Sequence, residues 1–169
     1  MTDLYIFRHG DTIESGSLLA KIFGYHGNTH TMPILAKGVP ALEKIGNYLK
    51  NVPTDANYCS PYLRCIDSAK IVGTVAGKIY KADERLREFK EDGEKFSHFR
   101  KRVENFLSET DKKNYSAVSI CTHGAVIAAI KHLQNGGNFF FFQVLDFPKP
   151  GDLIIIKDKK IKTIDFNSK

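Results

Sequence analysis

The chain has 169 residues, 42% hydrophobic and 26% charged, which excludes a disordered protein and predicts one folded domain over residues 1–169. No apolar run reaches the roughly 18 residues that a membrane span needs, and the N-terminus lacks a signal-peptide pattern, so we expect a cytoplasmic protein without a membrane partner. The net charge is +6, but the basic residues form no platform with aromatic residues, so nucleic acid is not an expected partner.

Strands and helices alternate along the chain, which predicts an α/β fold with a mainly parallel sheet. Apolar runs predict strands at 4–7, 57–59, 78–82 and 117–121, followed by a hairpin at 153–157 and 161–164. Periodic apolar residues predict helices at 35–50, 61–76, 96–107 and 124–133. Residues 11–33 between the first strand and the first helix form a long loop, and loops of this length are usually functional.

The second helix has a clear start signal. Ser60 would be the N-terminal cap and Pro61 the first helical residue. Its predicted inward face is apolar and consists of Leu63, Ile66, Ala69 and Val72.

Residues 139–145 are ambiguous between a strand and a short helix. Their sequence, Phe-Phe-Phe-Phe-Gln-Val-Leu, predicts a part of the core. A subunit contact in a homodimer is the alternative, because large exposed apolar patches usually mark interfaces.

The sequence indicates no metal site. Three cysteines without a CxxC pair argue against a disulfide framework or a zinc knuckle, and Cys59 and Cys121 read as small buried hydrophobic residues. His26 and His30 have the spacing of a helical metal pair, but the surrounding glycines argue against a helix, so we expect loop contacts instead.

Polar residues follow the end of each predicted parallel strand. Arg8 and His9 follow the first strand, Arg64 lies just beyond the second, Glu88 follows the third and His123 the fourth. Because ligands bind at the carboxyl edge of an open α/β sheet, we expect these side chains to converge. Arginine binds oxyanions and a neutral histidine can attack phosphorus, so the pattern predicts a phosphate site.

Four short motifs resemble those of the histidine phosphatase superfamily, the clan that includes the cofactor-dependent phosphoglycerate mutases. The motifs are Arg8-His9-Gly10, Ser60-Pro61-Tyr62-Leu63-Arg64-Cys65, Leu86-Arg87-Glu88 and Thr122-His123-Gly124. They cover nearly the whole chain in the family's order. The resemblance implies a three-layer α/β/α fold with a mainly parallel central sheet.

The resemblance also implies a role for each matched residue. His9 would be the nucleophile that forms a phosphohistidine. Arg8, Arg64 and His123 would bind the phosphoryl oxygens. Glu88 would protonate the leaving oxygen and later activate water.

Further residues belong to the expected site. Glu84 and Glu94 are the alternative proton donors, because several acidic residues surround Glu88. The backbone of Gly10 and the helix start at Gly124 would add hydrogen-bond donors to phosphate. Ser15 stands where the family commonly has a phosphate-binding asparagine, and Asp11 where it commonly has glutamate. The arginine side chains supply the positive charge, so no metal or cofactor is expected.

The spacing between Glu88 and His123 favours hydrolysis. They lie only 35 positions apart, without the long lid that mutases insert there. A mutase must keep water from its phosphoenzyme, and an interval this short lacks the lid that would exclude water. We therefore expect a phosphatase that acts on a small phosphorylated metabolite or a phosphoprotein. Mutase-type phosphoryl transfer and non-catalytic binding of phosphorylated ligands are the alternatives.

Overall fold

The computed structural model describes residues 1–13, 28–89 and 93–167. Its strands are β1 (Asp3–Arg8), β2 (Ala56–Cys59), β3 (Lys81–Ala82), β4 (Ala117–Thr122), β5 (Asp152–Lys157) and β6 (Lys160–Asp165). Its main helices are α1 (Val39–Lys50), α2 (Leu63–Ala76), α3 (Phe96–Lys112) and α4 (Gly124–Gln134). None of the helices described is long and apolar enough to cross a membrane.

The strands form one sheet in the order β3-β2-β4-β1-β5-β6. The first four in this order are parallel, whereas β5 pairs antiparallel with β1 and β6 with β5. Arg8 at the end of β1 is level with Thr122 of β4, and Cys59 of β2 is level with Cys121. The turns that leave β1, β2 and β4 therefore meet at one edge of the sheet, as the sequence predicts.

Two apolar cores cover the two faces of the sheet, which gives the expected three-layer arrangement. Ile6 of β1 packs in the core that includes Phe99 of α3 and Ile127 of α4. The next residue, Phe7, packs in the core that includes Leu42 of α1 and Val72 of α2. The alternation follows from strand geometry, because successive side chains point to opposite faces.

Helices α1 and α2 approach each other closely at Gly46. A Cβ atom at this position would lie 2.7 Å from Cβ of Val75, which is closer than real contacts allow. Pro40 lies in the first turn of α1, where its missing N–H leaves no hydrogen bond unmade.

Three details of the predicted elements are wrong. Helix α2 begins at Leu63 rather than Pro61, and Tyr62 rather than Ser60 occupies the cap position. Ile66 is 41% exposed, so the predicted inward face is displaced. Strand β3 is only two residues long, because only Lys81 and Ala82 pair with β2.

The segment 139–145 is mostly not core. Phe139 is fully buried and packs near Phe99, as predicted. Residues Phe141–Leu145 form a 3-10 helix, and Phe140, Phe142 and Leu145 are exposed. The core prediction therefore holds for Phe139, and in part for Val144, which is half-buried against the same core. The 3-10 turn directs the side chains of Phe140, Phe142 and Leu145 to the surface.

Candidate active site

Backbone hydrogen bonds align the turns at the ends of the parallel strands. The His9 N–H donates to the carbonyl of Thr122 at 3.1 Å, and the Ser60 N–H donates to the carbonyl of Cys121 at 3.0 Å. The residues that follow β1, β2 and β4 are thus neighbours in space although they are far apart in sequence.

The His9 ring is fixed in one tautomer. Its Nδ1 lies 2.9 Å from the carbonyl oxygen of Gly10, which can only accept, so Nδ1 carries the proton. Nε2 then carries the lone pair and accepts a hydrogen bond of 3.3 Å from Nε of Arg64. The residue is only 4% exposed. The nitrogen that faces the arginine is therefore the nucleophilic one.

Burial and positive charge keep both site histidines neutral. Burial, together with the charges of Arg8 and Arg64, holds the pKa of His9 well below its ordinary value of 6.5. Burial and the Arg64 charge hold the pKa of His123 well below 6.5 in the same way. Both effects disfavour the charged imidazolium, so both rings are neutral near pH 7.

His123 lies directly against His9. The ring centroids are 5.2 Å apart in an edge-to-face arrangement, and His123 is fully buried. Its Nε2 forms a 2.7 Å hydrogen bond with Oγ of Ser60, which fixes the ring plane. Tyr62 packs edge-on against the same ring, with its centroid at 5.1 Å.

The two arginines reach the site from different elements. Arg64 extends from the first turn of α2, is 3% exposed, and also donates to the carbonyl oxygen of Thr29. Arg8 extends from the end of β1 and donates to the carbonyl of Pro148 at 3.1 Å, with its guanidinium over the Phe147 ring at 5.1 Å.

Among the candidate acids, Glu88 is the one that the structure places beside a site histidine. Its Oε2 lies 3.9 Å from Nδ1 of His123, and its Oε1 accepts from the Phe89 N–H at 2.9 Å. Glu94 is instead paired with Arg102 at 2.7 Å, with its side chain only 6% exposed. No contact places Glu84 near either histidine in the described part of the chain.

The expected glycine donors have other neighbours. The Gly10 N–H donates to Oγ of Ser68 at 2.9 Å, and that hydroxyl donates to the carbonyl of Arg64 at 2.6 Å. A Cβ atom at Gly124 would lie 3.0 Å from the Phe147 ring, so this glycine allows the ring to approach the turn after β4. The Gly10 amide thus joins the turn after β1 to α2.

Two residues named in the sequence analysis, Ser15 and His26, lie outside the described residues. His30 stacks on Tyr62 with centroids 4.4 Å apart, which is the kind of loop contact expected for it. Within residues 1–13, 28–89 and 93–167, no group of three or more His, Cys, Asp or Glu side chains is arranged to hold a metal ion.

Sequence reasoning missed three buried groups on α2 or just before it. The sequence predicts Ser60 as a helix cap, and the structure shows that its hydroxyl orients His123. Ser68 joins the turn after β1 to α2. Cys65 lies with its Sγ 3.5 Å from Nε2 of His123. A signal was present for Ser68, which lies four residues after Arg64 and therefore on the same helical face.

Comparisons with known proteins identify the family. The family model of the histidine phosphatase superfamily (branch 1) matches residues 4–92 and 89–156. A search of curated proteins found no match. The solved structure of the alpha-ribazole phosphatase from Shigella flexneri is similar, with 20% identity, a TM-score of 0.73, and 99% of this chain and 96% of that chain covered.

Two further solved structures are similar in fold. The mycobacterial glucosyl-3-phosphoglycerate phosphatase Rv2419c has 16% identity and a TM-score of 0.71, covering 91% of this chain and 89% of that chain. The protein histidine phosphatase SixA, complexed with tungstate, has 15% identity and a TM-score of 0.67, covering 96% and 94%. With the family model matched from β1 to β5 on the expected fold, the chain belongs to the histidine phosphatase superfamily.

Proposed function

We propose that this protein is a phosphomonoester hydrolase that works through a phosphohistidine at His9. The observation that carries the proposal is the pairing of His9 with Arg64. A neutral, buried imidazole presents its unprotonated Nε2 to a guanidinium group at 3.3 Å. Such a pair binds a phosphoryl group and supplies the nucleophile at the same place.

The first step transfers the phosphoryl group to the enzyme. The Arg64 N–H turns from Nε2 of His9 to a phosphoryl oxygen, and the freed Nε2 lone pair attacks phosphorus. The bond between phosphorus and the leaving oxygen breaks. Arg64 and Arg8 stabilise the charge on the equatorial oxygens, and neutral His123 binds the same oxygens. Glu88, beside His123, donates a proton to the leaving oxygen.

The second step returns the enzyme to its starting state. Glu88, now a carboxylate, accepts a proton from water as the water oxygen attacks phosphorus. The bond between phosphorus and Nε2 breaks, and inorganic phosphate leaves. The Gly10 carbonyl holds the Nδ1 proton throughout, so the ring keeps the tautomer that the next cycle requires.

The substrate class that we propose is a small phosphorylated metabolite or a phosphoprotein. The similar structures include a phosphatase named for glucosyl-3-phosphoglycerate and a protein histidine phosphatase, which span these two classes. We place the protein in the cytoplasm, and a homodimer stays a prediction that analytical ultracentrifugation would check.

A single substitution tests the nucleophile. His9→Asn should reduce release of phosphate from p-nitrophenyl phosphate by at least about 1,000-fold, as loss of a nucleophile does in other enzymes. His98→Asn is the matched control, because His98 is exposed on α3. Radiolabelled substrate should leave an acid-labile, alkali-stable label on the wild type and none on His9→Asn. Normal turnover by His9→Asn would remove the proposal.

A further inference from the structure

Arg102 of α3 binds the segment that carries Glu88. Its Nη1 donates to the carbonyl of Arg85 at 2.6 Å, and its Nη2 donates to the carbonyl of Glu88 itself at 3.1 Å. Phe99, one turn earlier on α3, lies under the guanidinium at 4.9 Å. One side chain from a separate helix thus fixes two main-chain carbonyls on either side of Leu86.

Glu94 holds this guanidinium in place. Its two carboxylate oxygens accept from Nε and Nη2 of Arg102 at 2.7 and 2.8 Å. The side chains are only 12% and 6% exposed, so the pair is shielded from solvent. A two-point guanidinium–carboxylate pair has a fixed plane, which aims the remaining N–H groups at the carbonyls.

The sheet holds the same segment from the other side. The Thr122 hydroxyl, at the end of β4, donates to the carbonyl of Leu86 at 2.7 Å. Hydrogen bonds to the carbonyls of Arg85, Leu86 and Glu88 therefore fix the main chain that leads to the proposed proton donor.

Backbone position decides where the Glu88 carboxylate lies. Its Oε1 accepts from the N–H of the next residue, Phe89, at 2.9 Å. With that oxygen tied to the local main chain, Oε2 lies 3.9 Å from Nδ1 of His123. A shift of the Glu88 peptide would move the carboxylate with it.

We propose that Arg102, held by Glu94, is a positioning residue that fixes the Glu88 carboxylate at the leaving oxygen. The inference rests on the proposed function, since it assigns Arg102 a part in proton transfer by Glu88. In the described residues, the hydrogen bonds of Arg102 go to Glu94 and to the carbonyls of Arg85 and Glu88, and none goes to His9. Its loss should therefore impair protonation of the leaving group more than attack by His9.

Leaving groups of different basicity separate these two effects. A p-nitrophenolate departs without a proton, whereas the alkoxide of an alkyl phosphate needs one. The experiment measures kcat/KM for p-nitrophenyl phosphate and for a simple alkyl phosphate with the wild type and Arg102→Met. In Arg102→Met, kcat/KM for the alkyl ester should fall by a factor at least about tenfold larger than the factor by which kcat/KM for the aryl ester falls.

The chain offers a matched control on the same helix. Arg100 forms an exposed pair with Glu104 at 2.7 Å, so Arg100→Met removes the same group without touching the Glu88 segment. In this control, the ratio of the kcat/KM values for the two esters should equal that of the wild type. Thermal unfolding should confirm that each variant is folded. If Arg102→Met fails to fold, Glu94→Gln serves instead, and should show the same selective loss at a smaller size.

The outcomes distinguish this inference from the proposed function. An equal loss for both esters, or no loss, in a folded variant would overturn the positioning role and leave the phosphatase intact. Failure of the wild type to release phosphate from either ester would overturn both.

Discussion

Nε of Arg64 lies 3.3 Å from Nε2 of His9, so a guanidinium group faces the one ring nitrogen that carries a lone pair. The contact is also electrostatic, because the Arg64 charge opposes protonation of the ring. A phosphoryl group bound to Nε2 would remain within reach of the same guanidinium. The arrangement therefore keeps His9 neutral before attack and stabilises negative charge during it.

Removing the Arg64 charge should raise the pKa of His9. In Arg64→Met, burial and Arg8 still lower this pKa, but the Arg64 contribution is lost, so the midpoint should move up toward 6.5. Titration of the imidazole resonances by NMR measures it directly. Arg100→Met, which removes an exposed arginine on α3, should leave the midpoint unchanged. A downward shift in Arg64→Met would contradict the assigned contact.

The two neutral histidines should make stability depend on pH. The pKa of each is lower when folded than when unfolded, so the unfolded chain binds more protons below pH 6.5. The free energy of unfolding should therefore fall with decreasing pH below this value, by up to about 1.4 kcal/mol per pH unit for each histidine. Urea unfolding at pH 7.5, 6.5 and 5.5 in phosphate-free buffers measures the slope.

A variant separates the histidines from the carboxylates. His9→Asn should reduce the dependence of the free energy of unfolding on pH between pH 6.5 and 5.5. The pKa values of Asp83 and Glu109 are lowered on folding, chiefly by hydrogen bonds from Arg85 and Lys113, so their contribution is lost only at more acidic pH. Stability that is constant from pH 7.5 to 5.5 in the wild type would show that the histidines are not held neutral by the fold.

The Ser60 hydroxyl should matter for catalysis because it orients His123. Ser60→Ala removes the 2.7 Å hydrogen bond to Nε2 and leaves the ring with its packing and its longer contacts to Cys65 and Glu88. A lost hydrogen bond of about 1–2 kcal/mol corresponds to a fall in kcat/KM of roughly 5- to 30-fold. Assays with p-nitrophenyl phosphate check this, with Ser108→Ala, an exposed site on α3, as the control. An unchanged kcat/KM in Ser60→Ala would show that the Ser60 hydroxyl does not contribute to catalysis.

A bisphosphorylated sugar acid should be hydrolysed rather than isomerised. Only 35 positions separate Glu88 from His123, so the interval holds α3 and β4 but no long lid to exclude water. Phosphorus NMR of the reaction should show free phosphate accumulating in proportion to substrate lost. Isomerised product without free phosphate would favour the mutase alternative.

The sequence by itself determined the fold class and most of the residues that meet at the sheet edge. Strand β4 is a mostly apolar run that is buried on both faces, and α3 has a regular apolar period, so local patterns suffice for both. Arg8 ends β1, His9 and His123 directly follow β1 and β4, and parallel strands end at one edge. Their proximity needed no further information.

Only the tertiary structure decided the details of α2. Its inner face contains Arg64 and Ser68 beside the predicted Ala69 and Val72, while Ile66 is exposed, so the predicted face is displaced from the observed one. The physical reason is that a polar side chain can be buried when it forms hydrogen bonds in the site, and hydrophobic periodicity does not detect such residues. Ser60 and Ser68 find those partners in the turns after β4 and β1, which no local pattern contains.

The choice among the acidic residues was likewise a tertiary matter. Glu88 and Glu94 have equivalent side chains, and the sequence offers no way to rank them by chemistry. Arg102 pairs with the carboxylate of Glu94 but contacts Glu88 at its main-chain carbonyl, and the Glu88 carboxylate lies beside His123. A side chain on a separate helix assigns the two carboxylates to different roles, because electrostatic pairing depends on distance in space and not along the chain.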